Sequence, residues 1–259
     1  MENAQTIERC SVCLDNPATA SVVAEKCLPV PAFGNHRLDR VKVATIGLNP
    51  ALNEFFENDE WKQREQRLAI LDDYGRLTRE SLSAEEIQHA TKRRENYFTD
   101  ARRDWHSYFD SLDCLLGRVS GKWSYVYGTA VHLDLVACAT TVRFGMLDDD
   151  SQEGLQANCR RHFERTLIQL PLGTLLLFNG VSVHNSIQPY CQKFEARDEL
   201  ITIFSDARKH MGCVGQVEFG SRKFEFRAWS IPVRKLTLLC RHDLAFWLRG
   251  TLGFPRFPF

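Results

Sequence analysis

The six residues Thr174-Leu-Leu-Leu-Phe-Asn179 place the tightest limit on what this chain can become. Pro171-Leu-Gly173 stops whatever precedes them and Asn179-Gly180 ends them, so the apolar run is too short for a helix and reads as a strand. A strand that is apolar on every side chain belongs in a mostly parallel sheet with helices over both faces. Val41–Leu48 in "VKVATIGL" is a second strand, with alternating apolar positions, short and rich in β-branched residues. A third spans Ala130–Cys138 and turns polar at its end, and a fourth covers 223–230, where "GQVEFG" and "KFEFRAWSIP" read as a late hairpin.

Helical periodicity fills the intervals. "ENDEWKQREQRLAILDD" spaces Trp61, Leu68 and Leu71 at near-helical intervals, and "SAEEIQHATKRRENYF" opens with the capping pair Ser83 and Glu86. Trp105, Phe109, Leu112 and Leu116 form one stripe, and Leu155, Cys159, Phe163, Leu167 and Leu170 form another. "VSVHNSIQPYCQKF" reads as a further helix, and "LTLLCRHDLAFWLRGTLG" as a closing one that stops near Gly250. Strands separated by helices predict an α/β protein with a mostly parallel central sheet. Residues 1–39 read as an irregular lead-in, and 40–259 as one domain with a helical insertion over 57–125. Ligands of such sheets sit beyond the carboxyl ends of the strands. That rule singles out Asn49-Pro50, Asp134 and its followers, Asn179-Gly180 and Trp229-Ser230.

Composition narrows the function. Lys and Arg balance Asp and Glu at 33 each, so no global basic field announces nucleic acid, although local clusters suffice for it. No apolar run approaches the roughly 20 residues of a membrane helix. The polar start "MENAQTIER" is unlike a signal peptide, so a cytoplasmic protein with no membrane partner and no obligatory protein partner is expected. In a reducing compartment most of the nine cysteines read as small buried apolar residues. Cys10-Ser-Val-Cys13 is the one tight pair, and Cys27, Cys114 or Cys138 would have to complete a zinc or iron–sulfur set around it. The spacing is not diagnostic, so neither a metal nor a cofactor is expected.

A strand that ends in Gly47-Leu-Asn-Pro50 resembles the first motif of the uracil-DNA glycosylase superfamily, notably its Gly-x-Asn-Pro branches. "HLDLVACAT" looks like that family's second strand, "TLLLFNG" like its third, and "FRAWSIPVRK" stands where its fourth strand and DNA-inserting loop occur. The resemblance covers about residues 40–250. It departs at the last motif, where Trp229-Ser-Ile-Pro232 replaces the usual His-Pro-Ser or Asn-Pro-Ser. It implies a three-layer αβα sandwich around a four-stranded, mostly parallel twisted sheet. The implied activity is that of a monofunctional DNA glycosylase acting on a flipped-out pyrimidine.

The residues themselves suit that chemistry. Asn49 can orient a water against the sugar's anomeric carbon through its carbonyl oxygen, or it can simply cap the turn. Gly47 lets the backbone approach the ligand, and Phe55 is the candidate stacking ring, with core packing as its alternative. Relatives that act on uracil carry what looks like an asparagine where Asp134 stands. An ionised aspartate only accepts, which suits cytosine's exocyclic amine. Asp134 therefore points to a modified cytosine, such as the glucosylated hydroxymethylcytosine of some phages, and to a role in defence. A buried aspartate bonded to backbone is the alternative. His184 is the candidate donor to the departing base, and Ser230 lies at the fourth strand end. Arg234 and Lys235 are the favoured phosphate contacts, ahead of Lys92–Arg94, Arg102-Arg103 and Arg160-Arg161. The rival expectations are a uracil or mismatch repair glycosylase, a module that binds modified nucleic acid without cutting it, and a nucleoside hydrolase.

Overall fold

A computed structural model describes residues 7–57, 62–63, 68–100, 107–203 and 208–255. The strands are β1 (Ala32–Phe33), β2 (Val43–Gly47), β3 (Phe56–Glu57), β4 (Lys62–Gln63), β5 (Ala130–Asp134), β6 (Leu175–Asn179), β7 (Lys193–Ile203), β8 (Arg208–Phe219) and β9 (Arg222–Trp229). The helices are α1 (Val12–Asp15), α2 (Pro17–Ala20), α3 (Ala84–Glu95), α4 (Ser107–Val119), α5 (Asp149–Ile168), α6 (Val181–Ile187) and α7 (Leu238–Thr251). None of the described helices is long and apolar enough to cross a membrane.

The expected four-stranded, mostly parallel sheet is corrected to a single mixed sheet of seven strands in the order β1-β5-β2-β6-β9-β8-β7. The parallel part is real: β2 pairs with β6 from Val43↔Leu175 to Ile46↔Phe178, and β6 pairs with β9 from Leu176↔Phe226 to Asn179↔Trp229. β9, β8 and β7 then continue antiparallel. Sequence reading missed two strands of this sheet: β1, a two-residue strand within the stretch read as an irregular lead-in, and β7, which lies at the sheet edge and is studded with charge. Its exposed Lys193–Glu195 and Arg197–Glu199 pairs mark an edge protected against pairing with other chains, and such a strand lacks an apolar signal. The helix expected over 181–194 ends at Ile187, with Pro189 in the 3₁₀ turn Gln188–Tyr190 that leads into β7. β5 is also shorter than expected and leaves the strand after Asp134.

Two compact units divide the chain. The first comprises Met1–His36, Gly47–Asp104 and Leu133–Leu167. Here α3 opens with the expected capping box: Ser83 Oγ accepts from Glu86 N at 3.2 Å, and Glu86 Oε2 accepts from Ser83 N at 2.6 Å. The α5 stripe of Leu155, Cys159, Phe163 and Leu167 faces inward as its spacing predicts. The helix expected around 57–73 is corrected: β3 and β4 pair antiparallel, and Leu71–Tyr74 is a single 3₁₀ turn closed by Gly75 at φ 62°. Trp61 and Trp105 lie outside the described residues.

The second unit comprises Arg37–Ile46, Trp105–His132 and Ile168–Phe259. Its core stacks Phe178 of β6 on Phe226 of β9 with centroids 4.9 Å apart. His132 is buried as expected, its Nδ1 2.7 Å from Thr45 Oγ1, which in turn meets the Tyr125 hydroxyl at 2.5 Å. Thr237 caps α7, which ends at Thr251, beside Gly250 as expected. Backbone proximity also sets residue choice on β8, where a Cβ on Gly215 would stand 2.0 Å from the Glu195 carbonyl oxygen and 2.8 Å from the Phe226 ring. Gly215→Ala is therefore expected to cost about 1–3 kcal/mol in urea unfolding. Gly145→Ala, whose Cβ meets nothing within 4 Å, provides the neutral comparison. Equal midpoints for the two variants would refute the crowding.

Candidate functional site

Asn49 stands just beyond β2, half-buried, in the first unit. Backbone bonds fasten the strand exit, with Leu135 N donating to Gly47 O at 3.2 Å and Val136 N to Leu48 O at 2.8 Å. This polar continuation of β5 brings Thr140 to Asn49. The Asn49 amide nitrogen donates to Thr140 Oγ1 at 3.0 Å, with longer contacts to Pro50 O at 3.2 Å and Cys138 O at 3.5 Å. Thr140 in turn donates its hydroxyl proton to Val142 O at 2.6 Å. Its lone pair therefore faces the asparagine, and this fixes which end of the amide is nitrogen. Among the described residues no donor reaches Asn49 Oδ1. The result is an amide anchored at its nitrogen with its acceptor oxygen left over.

The other expected members of this site are placed less openly. Gly47 is buried within the strand end, and Asp134 is buried where β5 ends, its backbone nitrogen 3.4 Å from Pro31 O. Phe55 is fully buried, whereas Phe56 lines a cavity of about 780 Å³ together with Val23, Lys26, Ile70, Asp72 and Thr141. Neither Asn49 nor Asp134 lines that cavity.

The remaining candidates lie in the second unit. His184 on α6 packs its ring edge-on to Phe194 at 5.4 Å, and its Nε2 is buried with no hydrogen-bond partner among the described residues. Ser230 is half-buried and donates its backbone N–H to Met211 O. Asn179, at the end of β6, is a joint: its Oδ1 accepts from Trp229 Nε1 at 3.1 Å and Val233 N at 2.9 Å, and its Nδ2 donates to the Tyr108 hydroxyl at 3.1 Å. That joint fastens the 3₁₀ turn Val233–Lys235, from which Arg234 and Lys235 project into solvent. Neither makes an ion pair with any described residue, and exposed Leu238 and Leu239 follow them. Several members of the competing basic clusters are engaged. Arg93 bonds Asp73 at 2.8 Å, Arg94 meets Glu8 at 3.3 Å and Arg160 pairs with Glu164 at 2.8 Å, while Arg102 and Arg103 lie outside the described residues.

A second polar cluster lies in the first unit. Three buried thiols, Cys13, Cys138 and Cys159, have their sulfurs within 4.8 Å of one another, and Cys13 and Cys159 are 3.9 Å apart. These are the residues that could hold a metal, and Cys27 and Cys114 are not among them. Arg79, fully buried, spans the cluster's wall: Nη1 bonds Cys10 O at 2.9 Å and reaches Cys138 Sγ at 3.7 Å, and Nη2 bonds Cys27 O at 2.8 Å. Hydrogen bonds from the Cys13 and Cys159 thiols, aided by Arg79, hold the Cys138 thiol well below its ordinary range. Those shared thiol contacts push Cys13 and Cys159 up.

Sequence reading missed Thr140, Arg79 and the pairing of Cys159 with Cys13. Cys159 was visible only as one more inward residue of a helix stripe, and nothing in the spacing connects it with a cysteine 146 positions earlier. No protein-family model matches the chain, and no curated protein matches it.

Thr140→Val preserves side-chain volume but removes the partner of the Asn49 amide. It is expected to cost about 1 kcal/mol in urea unfolding and to speed exchange of the Asn49 side-chain amide protons observed by NMR. Unchanged exchange would show that Thr140 does not hold the amide.

Proposed function

We propose that this chain is a monofunctional DNA glycosylase in which Asn49 positions the attacking water. The observation that carries this reading is the polarity of the anchored amide: its nitrogen is committed to Thr140, and its oxygen remains as an acceptor at the exit of a buried strand. A water held by Oδ1 gains nucleophilic orientation without a strong base. Its oxygen bonds to the sugar C1′ as the C1′–N bond breaks, the base leaves with the bonding pair, and the water's proton passes to the base or to solvent. The likeness of Gly47-Leu-Asn-Pro50 to the first motif of the uracil-DNA glycosylase superfamily supports the same role for Asn49. There is no lysine in that motif, so the reaction would end at an abasic site without strand cleavage.

Arg234 and Lys235 provide the phosphate contacts in this reading, since they are exposed and carry no acidic partner among the described residues. Asp134 contributes an acceptor suited to an exocyclic amine, which makes a cytosine carrying a 5-substituent the favoured base. Uracil and mismatched pyrimidines are the alternative substrates.

The decisive measurement is single-turnover abasic-site formation on oligonucleotides bearing uracil, cytosine or 5-substituted cytosines, revealed by alkali cleavage. Wild type is expected to excise a base, and Asn49→Ala to slow excision by about 10²–10³-fold with DNA affinity retained. Binding without excision across the panel would identify a recognition module instead. Asp134→Asn is expected to shift preference away from the cytosine series, and an unchanged preference rejects the role given to Asp134. Replacing Arg234 and Lys235 together by glutamate should weaken DNA binding and flatten its salt dependence by about two phosphate contacts. An unaltered slope would remove this turn from the interface.

A further inference from the structure

The β7–β8 hairpin outruns its neighbour at the end of the sheet where ligands of parallel strands sit. β9 stops at Trp229, opposite Gly212, so the pairs from Leu200↔Met211 to Ile203↔Arg208 stand beyond it. We infer that the face of this overhang carrying Leu200 and Met211 seats on the minor groove of duplex DNA, where the two side chains wedge into a base step while Arg234 and Lys235 hold phosphates beside it. The inference rests on the DNA-binding part of the function proposed above. It assigns a preference for double strands to residues outside the segment that the resemblance gives to DNA insertion.

Register fixes which face this is. Residues paired across an antiparallel ladder share a face. Met211 lies opposite Leu200, and its carbonyl accepts from Ser230 N at 3.0 Å, so the three residues form one row. Four residues back along β9 on that face, Phe226 meets the His184 ring of α6. α6 is only seven residues long; it covers Phe194 and Phe226 and leaves the row open, with Leu200 and Met211 each 50% exposed. Val181, the first residue of α6 and equally exposed, adjoins the row through its backbone bond to Ser230 O at 3.2 Å. The opposite face is closed. Ile201 and His210 are buried there, Trp247 Nε1 of α7 donates to Glu199 Oε2 at 3.1 Å, and a Cβ on Gly212 would stand 2.6 Å from the Trp247 ring. The overhang is therefore braced on one side and apolar toward solvent on the other.

Exposed apolar residues are ordinary where they are scattered. These two face each other directly across the ladder, whereas β7 before them exposes Lys193, Glu195, Arg197 and Asp198. The charge at the border selects the partner. Val233 N donates to Asn179 Oδ1 at 2.9 Å, which fixes the turn bearing Arg234 and Lys235 at the strand end from which Val181 follows. Both cations are exposed and have no acidic partner among the described residues. Asp198, the next β7 residue on the apolar face, lies opposite Cys213 and hydrogen-bonds its thiol. An apolar row bordered by unpaired cations complements a groove floor flanked by phosphates, and leucine and methionine are among the side chains that part base steps there. A second copy of this chain would instead bring the same cations to the contact.

Fluorescence energy transfer across an end-labelled duplex of about 25 base pairs reports bending, and anisotropy reports affinity for that duplex and for one of its strands alone. The full-length wild type is expected to bend the duplex and to bind it more tightly than the single strand. Leu200→Ser/Met211→Ser should abolish the bend and weaken duplex binding about tenfold, with single-strand affinity and salt slope unchanged within about twofold. Leu200→Met/Met211→Leu, which exchanges the two apolar side chains, should keep the bend. Both residues are half-exposed, so the serine pair should retain the wild-type urea midpoint. If it unfolds, wild type alone decides, because a duplex left straight overturns the proposal. A serine pair that bends the duplex as wild type does overturns it too, as does a wild-type dimer in sedimentation that the serine pair dissociates. Bending without excision of any base would remove the glycosylase reading and leave this one standing, whereas a chain that binds no DNA removes both.

Discussion

Arg79 is the constraint around which the first unit is organised. Its two terminal nitrogens hold the carbonyls of Cys10 and Cys27, and one of them also reaches the sulfur of Cys138. Those residues lie 52 to 69 positions away in the chain, so one side chain ties the N-terminal segment to the polar continuation of β5. A buried cation is tolerated only where its surroundings are rich in acceptors and negative charge. Two backbone carbonyls and the sulfur of Cys138, whose thiol is held low, supply those acceptors, and Cys138 lies in the same short stretch as the Thr140 that holds the Asn49 amide.

The second unit is held differently, by apolar strands and a single amide. Phe178 and Phe226 stack where β6 and β9 pair in parallel. Asn179 closes the same ladder at its end and uses both ends of its amide on Tyr108, Trp229 and the Val233 backbone. The two strand-end asparagines therefore have opposite fates. Asn179 has its oxygen and its nitrogen both satisfied inside the protein, so it is a structural joint. Asn49 has only its nitrogen satisfied, and among the described residues its oxygen has no donor.

The architecture was legible where hydrophobic pattern and turn chemistry agreed. "VATIG", "LLLFN" and the inward stripe of α5 announce their elements because burial on both faces of a strand, or on one face of a helix, leaves a period in the sequence. The Ser83 and Glu86 capping box was equally plain, since both partners lie within one turn. β7 was illegible for the converse reason: an edge strand exposed along most of its length, with Glu195, Arg197 and Asp198 along it, carries the polarity of a loop or helix surface. Only its eleven-residue register with β8 makes it a strand, and that register is a long-range fact.

The sequence by itself determined the β2, β6 and β9 strands, the main helices and the position of Asn49 at a strand exit, because each depends on neighbours within a few residues. The tertiary structure alone decided that the sheet is mixed and seven-stranded, that Thr140 orients the Asn49 amide, and that Cys13, Cys138 and Cys159 converge beside a buried arginine. Hydrogen bonds and thiol contacts between residues dozens of positions apart depend on how the chain returns upon itself, and neither periodicity nor spacing records that path.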